Sequence, residues 1–308
     1  LLPCIAKLME KILSERLLRY LMTQGVICKG QFAYVRNKSV TDQLILLTQS
    51  MAVNIDNGTN FDLISLDFRK AFDRVDHSIL LKKFGKIATA SSVKWLKSFL
   101  GDRQIEVKVH STKSKKRSIN CGVPQGSHLS PLLFLLYIND LPNAMQHCTQ
   151  YLFADDVTLL LAYKPEDTLA SRANMQSDLD ACQTWGRNNG GEFSASKTSV
   201  LCHRAINDTP TAGIQYQMYN EPLTVVSELQ HLGITLTDNL DFRKHVASIT
   251  SKFRYRVHLL SIMSQQLTPS AMIILYKGFV RPVIEYSCTV WSFGSNKKPM
   301  TTLDQLQA

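Results

Sequence analysis

The sequence lacks the paired cysteines, the long apolar run and the amino-terminal signal that would each place it in a familiar class. Its seven cysteines are widely spread and never form a CxxC pair, which indicates no zinc site and favours reduced thiols inside a cell, with nucleus and cytoplasm left open. The longest apolar stretch, Leu129 to Ile138, is too short to cross a bilayer and contains Ser130 and Pro131. No apolar signal segment follows Leu1, and we expect a piece of a longer protein that has no membrane span.

What the sequence does contain is ordinary for a folded chain and unusual only in its charge. Hydrophobic residues make up 44% and charged residues 19% of the 308 positions, which is enough for a sizeable buried core. Lys and Arg number 35 against 25 Asp and Glu, so the formal net charge is +10. A basic balance of this size attracts polyanions, of which nucleic acid is the commonest.

Hydrophobic periodicity predicts helices and strands that are mixed without a regular βαβ rhythm. Helical spacing predicts helices over residues 5–22, 40–53, 68–79 and 93–100, an apolar helix after the Gly/Pro-rich loop 122–127, and a polar helix ending near Trp185. Residues 61–66 are strand-like, alternation of polar and apolar residues predicts strands at 104–109 and 117–120, and a strand pair is predicted around Asp155. This mixture predicts an α+β fold with an antiparallel sheet.

The last third of the chain differs in character. From Asp241 onward an apolar stripe at helical spacing is flanked by basic residues, which predicts a basic helical subdomain. We place the boundary near residue 237, with one domain over residues 1–236 and a helical region over residues 237–308.

Two adjacent acids, Asp155 and Asp156, interrupt the apolar run from Tyr151 to Leu161. Carboxylates in an apolar setting lose hydration and raise each other's cost of ionisation unless a cation lies between them. The pair therefore has two interpretations, which are half of a metal site and the solvated tip of a hairpin.

Asp67 has a similar pair of interpretations. It stands where a strand ends and a helix is predicted to begin, so it is either a helix N-cap or a carboxylate that points from the sheet edge toward a ligand. Three carboxylates on strand ends, Asp67, Asp155 and Asp156, suit two Mg²⁺ ions about 4 Å apart, the arrangement for in-line phosphoryl transfer. The set indicates nucleotidyl transfer.

Five segments in a fixed order resemble the palm motifs of reverse transcriptases, above all those of non-LTR retrotransposons. They are Asp67 to Asp73 (motif A), Gly122 to Pro131 (motif B), Phe153 to Asp156 (motif C), Ser196 to Thr198 (motif D) and His231 to Ile234 (motif E, the primer grip). Gln31 to Asp42 is similar to the fingers motif before motif A, and Leu275 to Trp291 to the region that these elements carry after the polymerase. The resemblance implies a right-hand polymerase with an antiparallel palm sheet, partial fingers over residues 1–60 and a helical thumb and post-polymerase region over residues 237–308.

The resemblance also implies a role for each matching residue in motifs A and C. Asp67, Asp155 and Asp156 are then the metal ligands and catalytic carboxylates, and Phe68 and Phe72 lie beside the nucleotide. The Phe72 ring is implied to be a gate that collides with a ribose 2′-hydroxyl and so favours deoxynucleotides. Its plainer interpretation is helix core.

Motifs B, D and E supply the remaining candidates. Gln125 and Gly126 are implied to bind the nucleotide, because glycine lets the backbone approach closely and glutamine offers a bifunctional amide. Lys197 is implied to stand near the pyrophosphate as an acid or charge stabiliser, with a solvated surface lysine as the alternative. Leu232 and Gly233 fall in the primer grip.

Two departures from the family pattern lie near the nucleotide. Ala33 to Val35 stands where relatives commonly read Gly-Phe-Arg, and the displaced arginine, Arg36, becomes the candidate for a triphosphate contact. Ser194 stands where motif D commonly has an asparagine three residues before its lysine.

The implied activity is RNA-directed DNA synthesis, in which a dNTP is transferred to a primer 3′-hydroxyl on an RNA template with two Mg²⁺ ions, or with Mn²⁺. The implied partners are the RNA template, the DNA primer, the dNTPs and an endonuclease domain upstream in the full-length protein. The alternative is a truncated, inactive retrotransposon-derived fragment that only binds nucleic acid. Only the enzyme predicts primer extension that depends on Mg²⁺.

Two basic segments fit either nucleic acid or solvent. The tip of the strand pair over residues 104–120 carries Lys113, Lys115, Lys116 and Arg117, which suits a solvated loop, a grip on the template or a localisation signal. The basic positions after residue 241 suit a thumb that follows the phosphates, or a solvated helix face.

Overall fold

The computed structural model describes residues 3–205 and 215–292, which form helices packed on a central sheet. The helices are α1 (Cys4–Thr23), α2 (Val40–Asp56), α3 (His77–Gly85), α4 (Ala90–Leu100), α5 (Ser130–Ile138), α6 (Thr168–Asn188), α7 (Arg243–Met263), α8 (Pro269–Leu275), α9 (Pro282–Glu285) and α10 (Cys288–Trp291). Single 3₁₀ turns lie at Ala71–Asp73, Leu141–Ala144, Pro165–Asp167 and Ala195–Lys197, and a π-helical turn lies at Tyr276–Val280. No helix in these described ranges is long and apolar enough to cross a bilayer.

Thirteen strands appear in the described residues, and five of them make the central sheet. They are β1 (Asn60–Leu66), β2 (Arg103–Ile105), β3 (Lys108–Val109), β4 (Thr112–Lys113), β5 (Arg117–Ile119), β6 (Thr149–Phe153), β7 (Asp156–Tyr163), β8 (Ser199–His203), β9 (Gln217–Met218), β10 (Glu221–Pro222), β11 (Thr224–Val226), β12 (Glu228–His231) and β13 (Ile234–Thr237). The central order is β11-β8-β1-β7-β6, and β9-β10, β12-β13, β2-β5 and β3-β4 form separate pairs.

The central strand β1 is buried on both faces, and its side chains alternate between two cores. Phe61 and Leu63 pack in the core that contains α2 and α7, whereas Ile64 and Leu66 pack in the core that contains α3 to α6. Alternate residues of a strand point to opposite faces, so one strand supports both layers of helices. Burial of each such side chain stabilises the fold by about 1.5–3 kcal/mol.

The helix predicted over residues 68–79 is wrong. Only the 3₁₀ turn Ala71–Asp73 forms there before α3 begins. Lys70 has a φ of 50°, in the left-handed region that ends a helix. The Arg69 N–H donates to the Glu192 carbonyl instead of to a helical partner, at 2.9 Å, so the apolar periodicity here reflects tertiary packing.

The α+β prediction is confirmed, with a correction at one edge of the sheet. The pairs β8-β1, β1-β7 and β7-β6 are antiparallel, but β11 runs parallel to β8. A three-residue edge strand whose direction depends on the preceding connection leaves no directional signal in its own sequence, and part of that connection, residues 206–214, lies outside the described residues.

The carboxyl-terminal region is helical, as the sequence predicts. In α7, Val246, Ile249 and Phe253 are buried while most of the basic side chains face outward. The predicted boundary near residue 237 coincides with the end of β13, yet the structure does not test whether it separates two domains. Residues 293–308 of the predicted thumb and post-polymerase region lie outside the described residues.

Candidate active site

The central sheet brings the three predicted metal ligands to one end. In the antiparallel pair of β1 and β7, Leu66 lies opposite Val157. Asp67 therefore leaves β1 beside Asp156, the first residue of β7. Asp155 occupies the tight turn between β6 and β7, so the two halves of the predicted site meet although they are distant in sequence.

Asp67 does not act as a helix N-cap. The next α-helix, α3, begins at His77, and its N-cap is Asp76, whose carboxylate accepts a hydrogen bond from the Ile79 N–H at 2.9 Å. The Asp67 carboxylate is therefore available for another role at the end of the sheet.

Gln31 holds the turn that carries Asp155. Ala154 has a φ of 55°, a conformation that costs a residue with a Cβ about 1–2 kcal/mol. The buried Gln31 Oε1 accepts hydrogen bonds from the Ala154 N–H at 3.0 Å and the Ala33 N–H at 2.9 Å. The sequence marked Gln31 only as the first residue of the fingers-like segment, because an amide that reaches a turn 123 residues away leaves no local pattern.

The carboxylates of motif C are harder to ionise than ordinary ones. Partial burial raises the pKa of Asp155, and the Asp67 charge adds to the shift. Burial, followed by the charges of Asp155 and Asp67, raises the pKa of Asp156 to about 6. A bound cation would reverse this cost, since it favours the ionised form of every nearby carboxylate.

One oxygen of Asp67 is left without a partner. Asp67 Oδ2 is shielded from solvent and accepts no hydrogen bond from the described residues. The Lys197 Nζ lies 3.8 Å away on a side chain that is 71% exposed, which is an ion pair too long for a hydrogen bond. The sequence-predicted Lys197 therefore does reach the carboxylate site, at its solvent side.

The donor set fits a hard divalent cation by its chemistry. Carboxylate oxygens are the ligands that Mg²⁺ takes, and an unpartnered buried oxygen is costly unless a cation satisfies it. In residues 3–205 and 215–292, however, no three His, Cys, Asp or Glu side chains already converge as a metal-binding group. The fit therefore rests on Asp67 Oδ2 and on the raised pKa values, and not on a preformed cluster.

A backbone ladder holds motif D against motif A. The Ser194 N–H donates to the Asp67 carbonyl at 2.8 Å, and the Arg69 N–H donates to the Glu192 carbonyl at 2.9 Å. Lys197 follows directly in its 3₁₀ turn. The ladder explains how a lysine on a different segment comes to face Asp67.

The motif B loop packs directly on motif A. The Val123 N–H donates to the Phe72 carbonyl at 2.9 Å, and the Gly122 N–H donates to the Val75 carbonyl at 2.8 Å. Gly122 has a φ of 75°, and a Cβ there would lie 2.7 Å from the Asp73 carbonyl oxygen. Only glycine allows this contact.

The two loop residues assigned to the nucleotide are both exposed. The Gln125 Nε2 donates to Asp73 Oδ1 at 3.1 Å, while Gly126 has a φ of 81° and open space around its Cα. The helix that follows is not capped by Ser130. Its first amides donate to the Ser127 Oγ instead, and the Ser130 hydroxyl donates to the Pro124 carbonyl.

The two aromatic candidates of motif A have different surroundings. Phe72 is half-buried and stacks on Phe134 with ring centroids 4.5 Å apart. Phe68 is only 8% exposed, and its ring packs against Phe193 and Trp185. Phe72 therefore keeps a free edge, whereas Phe68 belongs to the core, and contact of either ring with a nucleotide stays a prediction.

The remaining candidates are Arg36 and the primer-grip residues Leu232 and Gly233. Arg36 is exposed, and its side chain makes no hydrogen bond or ion pair with the described residues. Leu232 and Gly233, with φ values of 44° and 82°, form the tight turn between β12 and β13. The Tyr286 hydroxyl donates to the Leu232 carbonyl at 2.8 Å, a contact that the sequence did not predict.

Family membership follows from a match over most of the chain. The family described as "Reverse transcriptase (RNA-dependent DNA polymerase)" matches residues 1–236. The chain belongs to the reverse transcriptase family. Motifs A to E all lie in the matched residues.

The relatives of this chain include proteins of non-LTR mobile elements. The protein of transposon X-element from Drosophila melanogaster is 30% identical over 94% of this chain and 32% of its own length. The RNA-directed DNA polymerase from mobile element jockey of the same species is 28% identical over 100% of this chain and 34% of its own length. The chain thus spans about a third of the length of these relatives.

Solved structures with a similar fold include yeast telomerases. Apo telomerase from Candida tropicalis superposes with a TM-score of 0.51 at 13% identity, over 78% of this chain and 41% of that one. Telomerase from Candida albicans, determined in complex with a fragment of telomeric RNA, gives 0.51 at 12% identity, over 90% of this chain and 47% of that one. At this identity the likeness concerns the fold alone, which is that of a right-hand polymerase.

Proposed function

We propose that this chain is the polymerase region of a non-LTR retrotransposon reverse transcriptase that extends a DNA primer on an RNA template. The observation that carries the proposal is the register of β1 and β7, because it sets Asp67 beside Asp155 and Asp156. Burial, and then the like charges of the neighbouring carboxylates, raise the pKa values of Asp155 and Asp156. A set of this kind suits a reaction that is assisted by divalent cations.

Asp67, Asp155 and Asp156 are the residues that would hold two Mg²⁺ ions, with Mn²⁺ as a substitute. When bound, such ions favour the ionised primer 3′-hydroxyl and neutralise the triphosphate and the leaving pyrophosphate. The protein contributes by holding Asp155 on a turn that Gln31 fixes. It also leaves Asp67 Oδ2 without a hydrogen bond from the described residues.

The residues around the carboxylates bind and select the nucleotide. Gln125 and Gly126 lie on an exposed loop anchored to motif A, where they can reach a dNTP. Phe72, fixed by stacking on Phe134, disfavours a ribose 2′-hydroxyl. Lys197, whose Nζ lies 3.8 Å from Asp67 Oδ2, donates a proton to the leaving pyrophosphate or stabilises its negative charge.

The partners follow from the same proposal. They are an RNA template, a DNA primer and dNTPs, with Arg36 at the triphosphate and Leu232 and Gly233 at the primer. An endonuclease domain stands upstream in the full-length protein, and residues 237–308 form a thumb separate from the domain over residues 1–236. All seven cysteines are free thiols, which favours a location inside the cell.

Primer extension tests the proposal. The chain is incubated with an RNA template, an annealed DNA primer, dNTPs and Mg²⁺, and compared with Asp155→Asn. We expect extension that needs Mg²⁺, that is lost in the variant and that is retained in Asp56→Asn, an exposed aspartate at the end of α2. Extension by Asp155→Asn at the rate of the unchanged protein would overturn the assignment of Asp155 to the active site. Nucleic-acid binding without any extension would favour the inactive-fragment alternative.

A further inference from the structure

Half of the net charge of the chain lies in one small hairpin. Residues 103–117 contain six Lys or Arg and a single acid, Glu106, so they carry a formal charge of +5 out of +10 in about a twentieth of the length. Every residue from 104 to 118 is exposed. Residues 103–119, in which β2 pairs with β5 and β3 with β4, are called the basic hairpin below. The basic hairpin is therefore a charged projection and not part of either core.

Most of this charge has no internal partner. Lys113 pairs with Glu106 at 2.7 Å, but the side chains of Lys108, Lys115, Lys116 and Arg117 make no ion pair or hydrogen bond in the described part of the chain. Lys108 also lies directly opposite Lys113 in the β3-β4 ladder. Like charges in that position destabilise a strand pair, so the hairpin carries a repulsion that an anion would relieve.

By contrast, the basic helix α7 uses several of its charges within the protein. Arg243 pairs with Asp241, and Lys244 pairs with Glu228. Arg256 donates to the Phe279 carbonyl and lies over the Phe279 ring. The basic hairpin is thus the larger store of unpartnered positive charge.

An irregularity in the hairpin turns two lysines out of the ladder. The Ser114 N–H donates to the Val107 carbonyl at 2.8 Å, and the next pair toward the base is Ile105 with Arg117. Between these two pairs the first strand runs two residues, from Val107 to Ile105, while the second runs three, from Ser114 to Arg117. The one extra residue is typical of a β-bulge, and the longer segment contains Lys115 and Lys116. Bulges twist a hairpin and redirect side chains, and they often adjoin functional sites.

The base of the hairpin is attached to the motif B loop. The Arg103 guanidinium donates to the Leu100 carbonyl at 3.1 Å and to the Gly122 carbonyl at 2.5 Å. The His77 Nε2 contacts the same Gly122 oxygen at 2.8 Å. Because Gly122 itself packs on Asp73, the base of the hairpin is fixed to the end of motif A.

We propose that the basic hairpin is an arm that binds the phosphate backbone of nucleic acid without regard to sequence, chiefly through Lys108, Lys115, Lys116 and Arg117. That the bound nucleic acid lies beside motif B rests on the proposed function. That the basic hairpin binds nucleic acid does not. Unpartnered lysines attract phosphates through charge and counterion release, and carry little base specificity.

A lipid surface is the other polyanion that such a hairpin fits. Ile105, Val107 and Val109 are 52%, 59% and 61% exposed, and an apolar row beside basic residues also suits an anionic bilayer. Attachment to the motif B loop favours nucleic acid, because that loop packs on Phe72 and Asp73 of motif A, the segment that begins with Asp67.

The test compares two variants of the full chain that lose equal charge. The arm variant is Lys108→Gln with Lys115→Gln and Lys116→Gln. The control is Lys82→Gln with Lys86→Gln and Lys94→Gln, three exposed and unpaired lysines on and beside α3 and α4. Fluorescence anisotropy measures binding of an RNA–DNA primer–template from about 50 to about 200 mM salt.

We expect the arm variant to bind at least about tenfold more weakly, and the slope of log affinity against log salt to fall by about 2 to 3. The control should change the slope by less than about 1. The same three lysines changed to Arg should keep the affinity of the unchanged chain, since arginine also binds phosphate. This rescue separates charge from folding.

Equal affinity and equal slope in the arm and control variants would overturn the proposal. So would unchanged nucleic-acid binding together with lost binding to phosphatidylserine vesicles, which would assign the hairpin to lipid. The readout needs no turnover. If the unchanged chain extends no primer but the arm variant still binds nucleic acid more weakly, the proposed function is contradicted and the role of the basic hairpin is supported.

Discussion

Two hairpins of opposite charge show how this protein uses burial. The β6-β7 hairpin carries Asp155 and Asp156 and lies within the central sheet, where Val157 and Leu159 are completely buried. The basic hairpin over residues 103–119 carries lysines and buries almost nothing. In the first, partial burial and like charge raise carboxylate pKa values, whereas in the second the charges remain solvated.

The difference separates two tasks. A site for chemistry needs carboxylates at fixed positions, and the sheet supplies rigidity at the cost of desolvation. A surface that follows a variable phosphate backbone needs charge and reach but little fixed geometry. Mutations should therefore change mainly stability in the β6-β7 hairpin and mainly affinity in the basic hairpin.

The largest stability effect is expected at Gln31, which supports the carboxylate turn. Gln31→Leu leaves the buried amides of Ala33 and Ala154 without an acceptor. At about 1–3 kcal/mol for each amide, the free energy of unfolding should fall by about 2–6 kcal/mol. Urea unfolding measures it. Gln43→Leu is the matched control, because Gln43 is fully buried and both polar atoms of its side chain lack partners. That change should be neutral or stabilising, and equal losses at the two glutamines would contradict the role of Gln31.

A smaller effect is expected from Asp156 and depends on pH. Its pKa of about 6 in the folded protein exceeds the value near 3.9 of an unfolded aspartate, so its contribution to stability is lost as the pH rises from about 4 to about 6. Asp156→Asn removes this loss. In metal-free buffer the free energy of unfolding of the variant should rise relative to that of the unchanged protein over this pH range. Above it the variant should remain more stable by about 1 kcal/mol, since solvent screens this partly exposed carboxylate.

Divalent cation provides the control for this effect. Saturating Mg²⁺ should shrink or reverse the advantage of Asp156→Asn, because the cation stabilises only a protein that retains the carboxylate. Urea unfolding with and without Mg²⁺ measures the change. A stability difference that is independent of both pH and Mg²⁺ would argue for a solvated tip at Asp156.

The smallest stability effect is expected in the basic hairpin. Lys108→Gln should change the free energy of unfolding by no more than about 0.5 kcal/mol, since the residue is exposed and unpaired. The direction should be stabilising, because the repulsion across the ladder from Lys113 is removed. Thermal unfolding at low salt measures it. A loss as large as that of Gln31→Leu would erase the distinction between the two hairpins.

Much of the fold was predictable where local pattern and tertiary packing agree. The strand-like run in β1 and the helical spacing in α2 both correspond to buried side chains, and α2 also begins with a capping box formed by Ser39 and Asp42. The sheet end at Asp67 followed from the same strand. Local rules suffice in these elements because the neighbours only strengthen what the sequence already favours.

The misses share one physical cause, which is contact over long sequence distances. The residues after Asp67 have helical periodicity, yet their backbone pairs with Glu192 and Phe193. Gln31 supports the carboxylate turn through one side-chain amide. The charged tip at residues 113–117 was visible, but its bulge and its attachment to Gly122 depend on register and tertiary contacts. The sequence thus revealed the reacting groups better than the groups that position them.

A single-turnover measurement tests the central claim, that Asp67 and the motif C carboxylates form one site, most directly. The unchanged chain, Asp67→Asn and the control Asp56→Asn are each saturated with the RNA–DNA primer–template, with binding checked by anisotropy, and the rate of adding one dNTP is measured with Mg²⁺. We expect Asp67→Asn to bind the duplex but to add the nucleotide at least about 100-fold more slowly, while Asp56→Asn matches the unchanged chain. Addition by Asp67→Asn at the unchanged rate would contradict the account.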